Sequence, residues 1–232
     1  MINVQPLTEL EQLDEVVALQ RTIWGYQDLD VESRALLVVA RHFAGQLLGA
    51  FDEGKMIGVA LAFFTSSGSK LRLHSHRVGV LEDYQNQGIG RILKLAQRED
   101  ALGRGINVIQ WTFDPLQWRN AYFNLEKLGA IGRRYIPNLY GITSSPLHSG
   151  LPTDRLLVEW DLESPRVLQT LGGIRPVPPA EAIRIAVPDF SQHKDPELQW
   201  ELRDQLVKKL SSGYAVTGFK KSLDKAFYLL EK

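Results

Sequence analysis

The sequence predicts a mixed α/β (α+β) fold, and three observations point to it. Apolar runs bounded by Gly-, Asp- and Pro-containing turns read as strands. Stretches with 3.6-residue periodicity alternate with them. Around residues 85–91 a strand passes through closely spaced glycines straight into a helix. The chain has 232 residues, roughly one and a half domains at about 150 residues each. The expected division is a domain over 1–162 and a small C-terminal α/β extension over 163–232, of unknown role. With 44% hydrophobic and 23% charged residues, a collagenous or wholly disordered chain is excluded.

Charge and cysteine usage exclude further classes. Twenty-seven basic residues balance 27 acidic ones, and residues 163–232 carry 11 and 9 of them. Neither part is a basic arm, so nucleic acid and anionic membrane are not expected partners. The absence of cysteine removes disulfides, thiolate metal sites and a cysteine nucleophile together. It also fits a reducing, cytoplasmic setting. No apolar run approaches the roughly 20 residues needed to cross a bilayer. Met1–Gln20, with early acids and no basic segment, is not expected to be a signal peptide.

In chain order, Thr8 and Glu11 have the spacing of a capping box, and Leu10, Leu13, Val17, Gln20 and Trp24 follow at helical spacing to Gly25. Gln46–Phe51 and Met56–Phe64 read as a hairpin closed by Asp52-Glu53-Gly54-Lys55, and Leu71–Val80 as a third strand. Ile89, Ile92, Leu93 and Ala96 mark a helix ending near Gly103 and Gly105. Ile106–Phe113 is a strand, Trp118, Tyr122 and Leu125 share a helix face ending at Gly129, and strands near Ile131–Tyr140 and Leu156–Leu162 follow. Pro165, Pro176, Pro178 and Pro179 read as a linker. Beyond it come a strand (Ile183, Ile185, Val187), a helix with Asp195 at its N-cap and Gly213 past its end, and strands Tyr214–Phe219 and Ala226–Leu230.

Strand, glycine turn and helix together make an anion-binding device, because the free N–H groups of a helix start point outward and the dipole adds to them. Gln85-x-x-Gly88-x-Gly90, followed by Arg91, stands in that place. A plain glycine turn before an amphipathic helix is the other reading of those six residues.

The segment resembles the acyl-CoA-binding signature of the GNAT superfamily of N-acyltransferases, and the order of elements agrees over about residues 1–162. His74-Ser75-His76 before Val78-Gly79-Val80, and Trp111-Thr112-Phe113-Asp114-Pro115, are similar to a poorly characterised branch of predicted acetyltransferases. The resemblance implies a GNAT-like central mixed sheet flanked by helices, with acetyl-CoA or another acyl-CoA as co-substrate. It implies a small-molecule or peptide amine as acceptor, and leaves a homodimer open. It further implies that the N–H groups of Gln87, Gly88, Ile89, Gly90 and Arg91, in the loop opened by Gln85, hold the pyrophosphate. Val78 and Val80 would pair through their main chain with the pantetheine arm, where the fourth and fifth strands of such folds splay. Gly79 fits a bulge or the close approach of another backbone. Asn120 and Asn124 would either hydrogen-bond the cofactor arm or serve as helix-surface polarity.

Acyl transfer to an amine needs a base, since the amine is mostly protonated at neutral pH. Many family members carry a glutamate on the fourth strand; the matching position here is His74. Strand alternation is expected to put His74, His76, Val78 and Val80 on one face, and an imidazole titrates near neutrality. Two satisfied strand histidines is the alternative. His-x-His could also chelate a metal, but no third ligand stands at a recognisable spacing. At the position where many members have a tyrosine acid stands Leu125, which leaves Tyr122, one turn earlier, as a catalytic candidate. That departure keeps a second reading open: a catalytically inactive CoA-binding sensor or scaffold of the same fold. Gly49–Lys55 imitates a phosphate loop, but Met56 replaces its hydroxyl residue and a strand follows. The loop Ser144–Thr153, with His148, offers candidates for acceptor contact.

Overall fold

A computed structural model describes residues 1–141, 143, 150–189, 195–222 and 225–232. The chain packs as two units, divided between Ile109 and Gln110. In the first, four antiparallel strands lie in the order β1-β2-β3-β4: β1 (Asn3–Pro6), β2 (Gly45–Asp52), β3 (Lys55–Ser67) and β4 (Lys70–Val80). Asp52 pairs with Lys55 across the β2–β3 turn. Glu53 and Gly54 both take positive φ, 47° and 85°, the backbone a two-residue hairpin turn requires. The apparent phosphate loop is therefore a hairpin turn, as its sequence suggested.

Helices α1 (Leu10–Trp24) and α2 (Arg34–Val39) cover one face of this sheet, and α3 (Ile89–Gly103) covers the other. On the α1 face Leu13, Val16, Leu37 and Ala40 pack with Leu47, Val59 and Leu61. On the α3 face Ile89 and Leu93 pack with Leu48, Ala50, Ile57 and Ala60. At α1 the start differs from the expected Thr8/Glu11 box. The Gln12 side-chain carbonyl accepts from the amides of Thr8 (2.9 Å) and Glu9 (3.1 Å), which moves the cap to Glu9. Leu10 consequently lies outside the buried stripe. Gly25 ends the helix at φ 65°, as read from sequence.

The second unit takes up the chain from Gln110. Its strands follow the order β5-β7-β6-β9-β10-β8: β5 (Val108–Phe113), β6 (Ile131–Ile136), β7 (Arg155–Asp161), β8 (Ile183–Val187), β9 (Ala215–Ser222) and β10 (Lys225–Glu231). Strands from 163–232 thus continue the sheet that holds β6 and β7. Helix α4 (Trp118–Tyr122) runs on as a π-turn over Phe123–Lys127. Pro165, read as part of a linker, instead opens α5 (Pro165–Leu171) behind a Ser164 cap, the Ser164 hydroxyl accepting from the Val167 amide. Helix α6 (Pro196–Ser211) has the expected Asp195 cap, which accepts from the Glu197 amide at 2.9 Å. It is pinned to the sheet by Arg203, whose Nε and Nη2 donate to Asp154 at 2.8 and 2.9 Å. The same buried carboxylate accepts from the Tyr135 hydroxyl at 2.7 Å. Among the described residues no helix is long and apolar enough to cross a membrane.

Candidate active site

After β4 the chain makes a 3-10 turn over Glu82–Tyr84, passes Asn86 (φ 62°) and Gly88 (φ 83°), and enters α3. Gln85 does structural work here. Its side-chain nitrogen donates to the Val80 carbonyl at 3.1 Å, tying the loop back to the strand end. The exposed Gln87 likewise donates to the Asp83 carbonyl at 2.9 Å. The first amides to bond back are those of Arg91 and Ile92, both to the Gly88 carbonyl, at 2.9 and 3.1 Å. The Arg91 amide is thereby committed, which removes it from the expected pyrophosphate donors. The amides of Gln87, Gly88, Ile89 and Gly90 bond to no other described residue. A Cβ built on Gly88 or Gly90 meets nothing within 4 Å. Four donors, open space above two glycines and the positive end of a 15-residue helix fit a diphosphate group.

On β4 the alternation expected from sequence breaks. Leu61 pairs with Arg77 but Ala62 pairs with Ser75, so His76 is the extra residue of a β-bulge. His76 and Arg77, although adjacent, both reach Glu32 on the α1 side. From there on the faces are exchanged. Val78 and Val80 pack toward Ile89 and Leu93 on the α3 side, whereas a Cβ on Gly79 would stand 2.6 Å from the Trp24 ring. The two histidines therefore do not share a face with Val78 and Val80, contrary to simple alternation. Gly79 admits a tryptophan side chain rather than another backbone.

His74 and His76 lie with ring centroids 6.1 Å apart. Burial, with the charges of His76 and Lys94 adding to it, lowers His74 to about 4, so it is neutral at physiological pH. Nε2 of His76 is 3.0 Å from Glu32 Oε1. Arg77 grips the same carboxylate, its Nε donating to both oxygens at 2.7 Å, and it donates to the Tyr26 hydroxyl at 2.6 Å. Its guanidinium lies over the Trp24 and Tyr26 rings, 5.3 and 4.5 Å from their centroids. The Gln20 amide brackets the Glu32 backbone, donating to its carbonyl at 3.1 Å and accepting from its N–H at 2.8 Å. Burial would raise the Glu32 carboxyl, but the hydrogen bonds from His76 and Arg77 prevail and hold it below the usual carboxylate range. Glu32 and Arg77 were not singled out in the sequence. The available signal was Arg77 itself, a fixed charge between His76 and the apolar end of a strand, which calls for a partner.

On the α3 side Lys94 is 3% exposed, and its Nζ donates to the Ser75 hydroxyl at 2.8 Å. That hydroxyl donates onward to the Gln97 side chain at 2.9 Å. Burial pushes the Lys94 amine well below its ordinary range.

In the second unit the Tyr122 hydroxyl accepts from Arg175 Nη2 at 2.8 Å, and Leu125 is fully buried. Asn120 is exposed. Asn124 is buried, and its Oδ1 accepts from the Trp111 indole N–H at 3.2 Å, so neither surface polarity nor an outward-facing amide describes it. Asp114 forms the turn expected of it, accepting from the Leu116 amide at 2.9 Å. Residues 144–149, His148 among them, lie outside the described residues; Thr153 is buried and accepts from the Tyr140 amide.

The start of α3, directly after the histidine-bearing strand β4, thus presents a site that fits a diphosphate group. The sequence profile of the acetyltransferase (GNAT) family matches residues 10–129. No curated protein matches the chain in sequence. Among solved structures it is similar to the ribosomal-protein-S18-alanine N-acetyltransferase from Escherichia coli, with TM-score 0.57 and 17% identity over 71% of this chain and 96% of that one. Arabidopsis thaliana Naa50, in complex with the bisubstrate analogue CoA-Ac-MVNAL, gives 0.55 at 15% identity over 68% and 97%. An aminoglycoside 6'-acetyltransferase type Ii gives 0.56 at 18% over 70% and 98%. The chain belongs to the acetyltransferase (GNAT) family, whose co-substrate is acetyl-CoA.

Proposed function

We propose that this protein transfers an acetyl group from acetyl-CoA directly to an amine, with a histidine of β4 taking the amine's proton. The observation that carries this reading is the cradle at α3, four uncommitted amides over two unobstructed glycines, immediately after the strand that bears His74 and His76. In this reading the Gln87–Gly90 amides hold the pyrophosphate, with Arg91 in the same helical turn. The main chain at Val78, Gly79 and Val80 holds the pantetheine arm.

Bound acetyl-CoA supplies an acyl carbon already activated as a thioester. The imidazole removes the proton that keeps the amine from acting as a nucleophile. The amine nitrogen forms the C–N bond, the C–S bond breaks, and the thiolate of CoA leaves, taking up the second proton that the nitrogen sheds on becoming an amide. A thiolate is a competent leaving group, with a thiol pKa of about 8.5, so a tyrosine at position 125 is dispensable. With no cysteine in the chain, no cysteinyl intermediate is available and transfer is direct.

The acceptor is a small-molecule or peptide amine. The same fold serves an enzyme named for the alanine of ribosomal protein S18 and one named for an aminoglycoside, so the fold does not choose between them. The CoA-binding sensor reading draws on two observations: Leu125 is core, and the Tyr122 hydroxyl accepts from Arg175. A panel of amines with acetyl-CoA and a thiol-release readout separates the two. Release coupled to acetylated amine supports transfer; binding of acetyl-CoA without release on every amine supports the sensor.

A further inference from the structure

We infer that Glu32, in the segment between α1 and α2, is a positioning residue that orients His76, rather than His74, as the proton acceptor. The inference rests on the acetyl-transfer reading and adds a residue and a nitrogen to it. The bulge at His76 turns two consecutive side chains toward one carboxylate, and Glu32 is held from four directions before any substrate arrives: Gln20 fixes its N–H and its C=O, while Arg77 and His76 engage its oxygens. The groups facing His76 are Glu32, Arg77, His74 and the Phe63 ring, the last edge-on at 5.6 Å between centroids.

The contact uses Nε2 of His76, at 3.0 Å from Glu32 Oε1. An ionised carboxylate only accepts hydrogen bonds, so it selects the tautomer with hydrogen on Nε2. That leaves Nδ1 as the basic nitrogen. The His76 side chain is 23% exposed and that of Glu32 8%, so the imidazole is reachable while its orienting carboxylate is not. The incoming ammonium group gives one proton to Nδ1 of His76 and its freed lone pair forms the C–N bond. As the C–S bond breaks, the nitrogen gives its second proton to the leaving thiolate, and the proton on His76 passes to solvent. His74, half-buried like His76 and held neutral by desolvation and by the charges of His76 and Lys94, has no carboxylate partner among the described residues to orient it.

The test combines imidazole ¹⁵N NMR of the full-length wild-type protein with kinetics of Glu32→Gln, His76→Gln and the double variant, on an amine taken from the panel. The expected neutral His76 is the Nε2–H tautomer, and Glu32→Gln loses that bias. Glu32→Gln lowers kcat by about 10–100-fold with KM for acetyl-CoA unchanged, and His76→Gln lowers it by about 100-fold or more. Because Glu32 acts through His76, the double variant is no slower than His76→Gln alone. A wild-type Nδ1–H tautomer, a Glu32→Gln enzyme of normal kcat, or two effects that multiply in the double variant would each overturn the inference. Should Glu32→Gln fail to fold, the wild-type tautomer still decides. Absence of acetylated amine from the wild-type protein across the panel sinks the acetyl-transfer reading instead, a different result from a wrong tautomer.

Discussion

Replacing Gly90 by glutamate should separate ligand binding from stability, because the two respond with opposite sign. Gly90 lies in the first turn of α3 with right-handed helical backbone, and a Cβ there meets nothing within 4 Å. A side chain therefore brings no clash, and loss of glycine's backbone freedom favours the helix by up to about 1 kcal/mol. A carboxylate in the first turn adds about 0.3–1 kcal/mol through the helix dipole. The unliganded variant should melt at or slightly above wild type. Yet that carboxylate fills the space above the Gln87–Gly90 amides and repels a diphosphate. For wild type, acetyl-CoA at 100 times its Kd contributes about 2.7 kcal/mol, or about 5–11 °C at roughly 2–4 °C per kcal/mol for a chain of this size. Differential scanning fluorimetry with and without acetyl-CoA reads both numbers. Gly90→Glu should keep the first melting temperature and lose the ligand-induced rise. A variant that retains the full rise would refute the placement of the pyrophosphate at α3.

Other perturbations probe the supporting structure. Gly79→Val should destabilise by about 1–3 kcal/mol in urea titration, because its Cβ would stand 2.6 Å from the Trp24 ring and force the end of α1 away. His74 is lowered to about 4 by burial and by the charges of His76 and Lys94, against about 6.5 unfolded. The unfolded chain thus binds its proton first, and stability attributable to His74 is intact above pH 6.5 and falls, by up to roughly 3 kcal/mol, as pH drops toward 4. His74→Gln should accordingly be less acid-sensitive than wild type over that window, compared by urea midpoints at pH 7 and 4.5. Asp154→Asn weakens a carboxylate that accepts from Arg203, Tyr135 and the Asn138 amide. With Arg203 partly exposed the cost should be on the order of 2 kcal/mol, read in the same denaturation experiment.

What the sequence revealed, and what it did not, follows from the range of the interactions involved. The α3 cradle was legible because glycines, helix start and preceding strand are local: Gly88 at φ 83° and the uncommitted amides follow from residues 80–92 alone. Helix α6 was legible for the same reason, with Asp195, Pro196 and Gly213 punctuating it. The faces of β4 were not. Period-two alternation holds only while pairing is regular, and the bulge at His76 depends on the register with β3, a property of two segments. Nor was Glu32 visible, since its partners Gln20, His76 and Arg77 come from α1 and β4, and only the folded chain brings them together. Pro165 was misread because a proline before a run of prolines resembles a linker, whereas Ser164 in front of it makes the pair a helix start.

The central claim is acetyl transfer to an amine at the β4–α3 site, and mass-spectrometric detection of acetylated amine alongside thiol release tests it most directly. Wild-type protein incubated with acetyl-CoA and the amine panel should yield N-acetylated product and free CoA in equal amounts, and His76→Gln should reduce both by about 100-fold. Stable acetyl-CoA binding with no product from any amine, or product formation that His76→Gln leaves unchanged, would contradict it.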